Sequence, residues 1–203
     1  MRDWLTYRLS DLLLFSPRTY YRMLERHNQA IWPAQLLALA FGVGILALLR
    51  RPGVRQGRIV AGILGLLWAG VAWAFLWQRY ATINWAARGL AGLFAIEALL
   101  FLWAGIFRRD LRFSLRRDPA DALGLTLFVA ALAIYPWLAP LTGRSWQQAE
   151  LFGVFPDPTV LGTLGLLLLA EGRSLWKLLV IPIVMCSISA ATLWAIARAG
   201  PAP

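Results

Sequence analysis

The chain has 203 residues, of which 60% are hydrophobic and only 15% are charged. Soluble domains are roughly 45–50% apolar and about 25% charged, so this composition excludes a soluble or disordered protein and indicates a membrane protein. The net charge is +10, and nineteen of the twenty basic residues are Arg. Because these Arg residues stand in short runs between apolar segments, they indicate contact with anionic lipid rather than with nucleic acid.

Residues 1–29 predict an amphipathic segment that lies on the surface of a bilayer. Ser16 and Pro17 are a typical helix start, since a capping hydroxyl precedes Pro at the first helical position. A helix from Pro17 onwards places Tyr20 and Leu24 near one face and the basic side chains mostly on another, as in interfacial helices. A solvated basic tail is the alternative. The residues expected at the lipid interface are Trp4, Arg8, Leu13, Phe15, Arg18 and Arg22.

Residues 30–203 predict a transmembrane helical domain. A span needs about 20 residues, and five apolar segments reach that length. A sixth reaches it only when counted back through a Pro-Asp-Pro stretch, so we expect its outer part to be unwound. The segments are 31–49, 59–77, 89–107, 122–141, 159–170 and 178–197. The predicted fold is therefore an all-α, polytopic transmembrane bundle of about six helices, with five crossings and a re-entrant segment as the alternative.

The distribution of basic residues predicts the orientation. Eleven Lys and Arg stand at 50–58, 108–117 and 173–177, whereas the remaining loops and the C-terminus hold four, or nine with the N-terminal thirty residues. The positive-inside rule places the first group in the cytoplasm and both termini outside. We therefore expect a multi-pass protein of a bacterial inner membrane, with anionic lipids at the Arg-rich loops.

Five residues are candidates for a cavity or a ligand or ion site. Glu97 is the one ionisable residue well inside a span, where a charge costs a few kcal/mol or more and marks function by default. The alternative for Glu97 is a protonated carboxyl that hydrogen-bonds a neighbouring helix. The other candidates flank spans that Pro interrupts, and irregular backbone at membrane depth lines a cavity in many transporters. Pro at a first helical position is the alternative there. These four residues are Asn28, Trp32, Asn84 and Asp157.

Three segments carry a resemblance to a known family. Residues 28–35, 83–86 and 152–159 resemble an uncharacterised family of small bacterial multi-pass membrane proteins, a domain of unknown function whose members are sometimes labelled permeases. The resemblance implies a helical membrane fold and brings no established activity. Cys often stands at the position of Asp157 in that pattern, so the resemblance assigns no role to the Asp157 carboxylate.

Two classes of function follow. Few polar side chains stand inside the spans, which favours an accessory or structural subunit of a larger membrane complex, with other membrane-protein subunits as partners. The interrupted span favours the alternative, a small permease or channel-like transporter with an outward-facing cavity near Glu97. No nucleophile–base arrangement, nucleotide loop or paired-carboxylate motif is present in the sequence, so we expect no enzyme, no cofactor, no metal site and no bound nucleic acid.

Overall fold

The computed structural model describes residues 17–116 and 118–199. It describes side chains for residues 18–116 and 118–190. Four of the residues predicted at the lipid interface therefore lie outside the described part of the chain. They are Trp4, Arg8, Leu13 and Phe15.

The regular secondary structure of the described chain is almost entirely helical, which confirms the all-α prediction. The helices are α1 (Pro17–Ile31), α2 (Ala34–Leu48), α3 (Val54–Gly70), α4 (Ala87–Phe101), α5 (Pro119–Val129), α6 (Leu138–Leu141), α7 (Pro156–Leu168) and α8 (Leu175–Ala199). Segments of π-helix extend three of them: Val71–Trp77 after α3, Leu102–Phe107 after α4 and Ala130–Ile134 after α5. Short 3₁₀ turns are Tyr80–Thr82, Tyr135–Trp137 and Trp146–Gln148. The strands β1 (Arg112–Phe113) and β2 (Ala170–Glu171) form a short antiparallel pair.

Two helix starts are legible in the sequence. Asp118 has an extended backbone and its carboxylate accepts a hydrogen bond from the Asp121 backbone N–H at 2.8 Å, with Pro119 at the first helical position. Phe155 is likewise extended, and Pro156 begins α7. The Pro-Asp-Pro stretch is therefore the first turn of a helix, as the alternative prediction has it, and the irregular backbone lies just before it. Proline suits the first helical position because an N–H there would have no partner within the helix, so nothing is lost by its absence.

The loops meet in two groups at opposite ends of the bundle. At the Arg-rich end, β1 pairs with β2, and Gly57 lies so close to the Leu111 carbonyl that a Cβ would collide with it. At the other end, the Tyr20 and Tyr80 rings are 5.9 Å apart. The chain between residues 34 and 199 thus runs along the bundle six times in alternating directions. This arrangement groups the Arg-rich loops as the sequence predicts.

Three helices are long and apolar enough to cross a membrane by length and composition. They are Val54–Thr82, Ala87–Phe107 and Pro119–Leu141, and they coincide with three of the six predicted segments. A fourth crossing results if α1 and α2, which meet at 86°, form one broken span. The helix α7 has only 13 residues, about 20 Å at 1.5 Å per residue. Six membrane crossings therefore stay a prediction.

Small residues allow the closest helix contacts. A Cβ on Gly124 of α5 would meet the Gly165 carbonyl oxygen of α7 at 2.6 Å, so the two backbones touch. Between α3 and α7, the buried Trp68 Nε1 donates a hydrogen bond to Thr163 Oγ1 at 2.9 Å. Among lipid chains the hydrophobic effect does not drive helices to associate, so close packing and interhelical hydrogen bonds of this kind hold the bundle together.

The helix α1 packs against the bundle through its apolar face. Leu24 is fully buried and belongs to the same hydrophobic core as α3 and α7, whereas Arg18 and Arg22 are exposed. The amphipathic pattern is as predicted, but over Pro17–Ile31 its apolar side faces protein. The predicted boundary between 1–29 and 30–203 therefore divides residues that share one core.

Candidate functional site

A group of ionisable side chains lies at the end of the bundle that α1 covers. We call Tyr20, Tyr80, Tyr135, Glu150 and Asp157 the acid–tyrosine cluster. Glu150 and Asp157 lie within electrostatic range of each other and of Tyr20 and Tyr135. The cluster is assembled from α1, the turns that follow α3 and α5, the loop before α7, and the first turn of α7.

Glu150 lies in the loop before α7 and is largely removed from solvent. Its side chain is 11% exposed, and its Oε1 is 3.3 Å from Nη1 of Arg144, the cation of its ion pair. Burial is the largest cause of a rise in the pKa of Glu150 to about 7; the Asp157 carboxylate contributes to that rise and Arg144 opposes it. Glu150 therefore exchanges a proton near neutral pH.

Asp157 is held by the last helix. The Ser189 hydroxyl of α8 donates a hydrogen bond to Asp157 Oδ1 at 2.8 Å. Its place in the first turn of α7 is favourable for a carboxylate, because the helix dipole is positive there. Cys186, one turn before Ser189, lies within electrostatic range of Asp157. Asp157 thus joins α7 to α8 beneath the loop that carries Glu150.

Asn28 fixes that loop against α1. Its Nδ2 donates hydrogen bonds to the Gln147 carbonyl at 2.8 Å and to the Ala149 carbonyl at 2.9 Å. Gln35 Nε2 of α2 in turn donates to the Asn28 carbonyl at 2.6 Å. Because Ala149 precedes Glu150 directly, Asn28 positions the backbone that presents the Glu150 carboxyl.

Two other predicted site residues lie at the same end. Asn84 Nδ2 donates a hydrogen bond to the Tyr80 hydroxyl at 3.2 Å, so Asn84 supports the cluster from the connection before α4. Trp32 is 66% exposed in the bend between α1 and α2. The structure therefore brings Asn28, Asn84 and Asp157 together and leaves Trp32 on the surface.

Glu97 lies apart from these residues. It is fully buried, and neither of its carboxyl oxygens has a hydrogen-bond partner in the described part of the chain. It stands ten residues after Ala87, which begins α4, so it is about 15 Å along that helix. The structure thus shows an isolated carboxyl in the bundle interior rather than a member of the acid–tyrosine cluster.

Most members of the cluster are absent from the sequence prediction. Glu150 and Arg144 carried one legible signal, since both stand in a short polar loop between two apolar segments. The three Tyr residues carried none, because positions 20, 80 and 135 meet only through the packing of separate helices. No three His, Cys, Asp or Glu side chains in residues 17–116 and 118–199 lie close enough to hold a metal ion.

One family model matches the part of the chain that contains all of these site residues. The model of a family of unknown function, DUF6064, matches residues 18–199. The chain belongs to the DUF6064 family. This confirms the resemblance to an uncharacterised family that the sequence segments indicated. The entire acid–tyrosine cluster lies inside the DUF6064 domain, as do Asn28 and Asn84. No curated protein and no solved structure matches the chain.

Proposed function

We propose that this DUF6064 protein is a multi-pass protein of the bacterial inner membrane that acts as a small permease for protons or a small organic cation. The observation that supports this proposal is the largely buried pair Glu150 and Asp157, which two separate segments hold within electrostatic range of each other. Burying two carboxyls together is costly unless a proton or another cation compensates them. Arg144 supplies one positive charge. With both acids ionised, the site keeps one negative charge, and a cation is the complementary ligand.

The proposed orientation places the cluster on the outer side. The Arg-rich loops meet at the opposite end of the bundle, and the positive-inside rule assigns that end to the cytoplasm. Reporter fusions at Gly57, Ser114 and the C-terminus test this. We expect the first two to report the cytoplasm and the third the periplasm. A cytoplasmic C-terminus together with a cytoplasmic Gly57 would contradict six crossings.

Flux measurements in liposomes test the permease itself. Purified protein is reconstituted with a pH-sensitive dye inside, and proton entry and methylammonium uptake are measured under an imposed membrane potential. Asp157→Asn and Glu150→Gln each remove one carboxylate and should lower the flux at least about tenfold, as for groups that bind the transported charge. Glu25→Gln is the matched control, because Glu25 lies at the same end and among the described residues accepts hydrogen bonds only from the Gln29 and Gln148 amides. Flux equal to that of protein-free liposomes for both probes would contradict the proposal.

An accessory subunit is the second candidate, and one observation favours it. A Cβ added to Gly89 or Gly92 of α4 would meet nothing within 4 Å, and Ile96 and Leu99 beside them are exposed. Such a smooth face allows close packing of a transmembrane helix from another protein. Gly92→Leu should then remove a co-purifying membrane protein that the wild type retains, whereas Gly70→Leu on α3 should retain it. Loss of the partner in both variants, or in neither, would contradict this candidate.

A further inference from the structure

A second feature at the α1 end is a cleft with strongly basic walls. It lies between α1 and the turn that follows α3, and its volume is about 310 Å³. We call it the arginine cleft. Its polar lining residues are Thr19, Arg22, Arg26, Gln78, Arg79 and Thr82. The cleft is distinct from the acid–tyrosine cluster, which shares none of these residues.

Among the described residues, the three Arg side chains of the cleft have no acidic partner. The ion pairs among the described residues involve Arg116 and Arg144 only. The carboxylate nearest in sequence, that of Glu25, accepts hydrogen bonds from Gln29 and Gln148 instead. Three positive charges around one concave surface attract an anion, and the planar guanidinium fork matches phosphate oxygens in particular.

The surroundings place the cleft at the depth of lipid headgroups. Trp77 directly precedes Gln78 and Arg79, and both Trp77 and Trp85 are exposed large aromatic side chains. Exposed Trp at the ends of apolar helices marks the membrane–water interface. The apolar surface of α3 thus ends where the basic cleft begins. A phospholipid has the matching order, since its apolar tails lead to a negatively charged phosphate.

We propose that the arginine cleft binds a phosphate group, supplied either by the headgroup of an anionic phospholipid or by a free phosphate ester. Arg22 and Arg26 stand one turn apart on α1 and reach the phosphate from one wall. Arg79 reaches it from the other wall, while the Gln78 and Thr82 side chains complete the polar lining. Bound phosphate then joins α1 to the end of α3 at the rim of the bundle.

Binding to the purified full-length protein tests the proposal. In detergent, affinities are measured for dioctanoyl phosphatidylglycerol, dioctanoyl phosphatidylcholine and glycerol 3-phosphate. Arg79→Gln removes one charge-assisted contact and should weaken the binding of the phosphatidylglycerol about tenfold or more. Arg22→Gln, at an exposed position, should do the same and covers the case in which Arg79→Gln fails to fold. The matched control is Arg88→Gln, since Arg88 lies over the Trp77 ring at 5.9 Å but outside the cleft.

The outcomes separate the two sources of phosphate. Binding of the phosphatidylglycerol, with weak binding of the phosphatidylcholine and none of glycerol 3-phosphate, supports a lipid headgroup. Equal binding of glycerol 3-phosphate supports a free phosphate ester. Binding of neither anion overturns the proposal. So does an equal loss of affinity in Arg79→Gln, Arg22→Gln and Arg88→Gln, because that result reports surface charge rather than a site.

Discussion

Replacing Glu150 by Gln changes the stability of the protein in a way that depends on pH. Burial raises the pKa of Glu150 from its ordinary value of 4.5 to about 7. The folded protein therefore holds this proton more tightly than the unfolded chain. Below pH 4.5 the carboxyl is protonated in both states. As the pH rises from 4.5 to 7, the unfolded chain releases the proton freely while the folded protein does not, so the wild type loses stability across that window.

The size of this loss follows from the two pKa values. Each pKa unit corresponds to about 1.4 kcal/mol, so a rise from 4.5 to about 7 corresponds to about 3 kcal/mol at most. The ion pair with Arg144 is already included in that pKa, since Arg144 lowers it. For a chain of this length, 1 kcal/mol shifts the unfolding midpoint by about 2–4 °C. As the pH rises from 4.5 to 8, the unfolding midpoint of Glu150→Gln should therefore rise by several degrees relative to that of the wild type.

Thermal unfolding in detergent, followed by Trp fluorescence, measures this difference. The two proteins should differ least at pH 4.5, where Gln resembles the protonated acid, and the gain of the variant should level off above pH 7. Glu25→Gln controls for the change in net charge at the same end of the bundle. A difference that is constant from pH 4.5 to 8 would refute the reasoning. A variant that becomes less stable as the pH rises would show that Arg144 outweighs burial.

Three further substitutions and one control substitution test the packing, each by the same unfolding measurement. Gly124→Ala places a methyl group against a carbonyl of α7 and should lower the free energy of unfolding by about 1–3 kcal/mol. Its control is Gly89→Ala, whose methyl group meets nothing within 4 Å and should raise the free energy of unfolding by up to about 1 kcal/mol through helix propensity. Equal effects of the two variants would contradict the close approach of α5 and α7. Asn28→Ala removes two hydrogen bonds to the loop before α7 and should cost about 1–3 kcal/mol, and it should lower the flux measured in liposomes; unchanged flux would separate this loop from function. Trp68→Phe leaves a buried threonine hydroxyl without its donor and should cost about 1–3 kcal/mol; an unchanged midpoint would argue against that bond.

The sequence predicts the helices well because their signals are local. The apolar segments 59–77, 89–107 and 122–141 lie inside three helices that meet the length and composition of a span, and their ends differ from the helix ends by at most five residues. Pro17 begins α1 as expected. The exception is the stretch 152–159, where Pro was expected to unwind a helix. Pro156 instead begins one, and the preceding residues form the irregular part. A proline restricts its own φ and the residue before it, so it stops a helix on one side and starts one on the other.

The candidate site is less accessible to sequence reasoning because it depends on contacts between distant positions. Asn28 and Asp157 were identified from their places at the ends of apolar segments, and both make buried or partly buried hydrogen bonds in the structure. Nothing near Tyr135 in the sequence distinguishes it from an interfacial aromatic residue. Its relation to Glu150 arises only when the helix α5 and the loop before α7 pack at one end. Periodicity predicts which side of a helix is apolar, but not which helix it faces.

The two ends of the bundle are built differently, and this difference bears on how a solute would enter. At the Arg-rich end, Arg116 forms ion pairs with Asp118, Asp121 and Glu171, and the paired strands join the same two loops. At the other end, α1 is joined to the loop before α7 by the side chain of Asn28. The same loop also donates a hydrogen bond from Gln148 to the Glu25 carboxylate of α1, and Arg144 lies 4.9 Å from the Tyr21 ring centroid. In the proposed permease, a cation that enters from the α1 end meets Glu150 and Asp157 there, whereas the fully buried Glu97 carboxyl lies within α4, apart from this cluster.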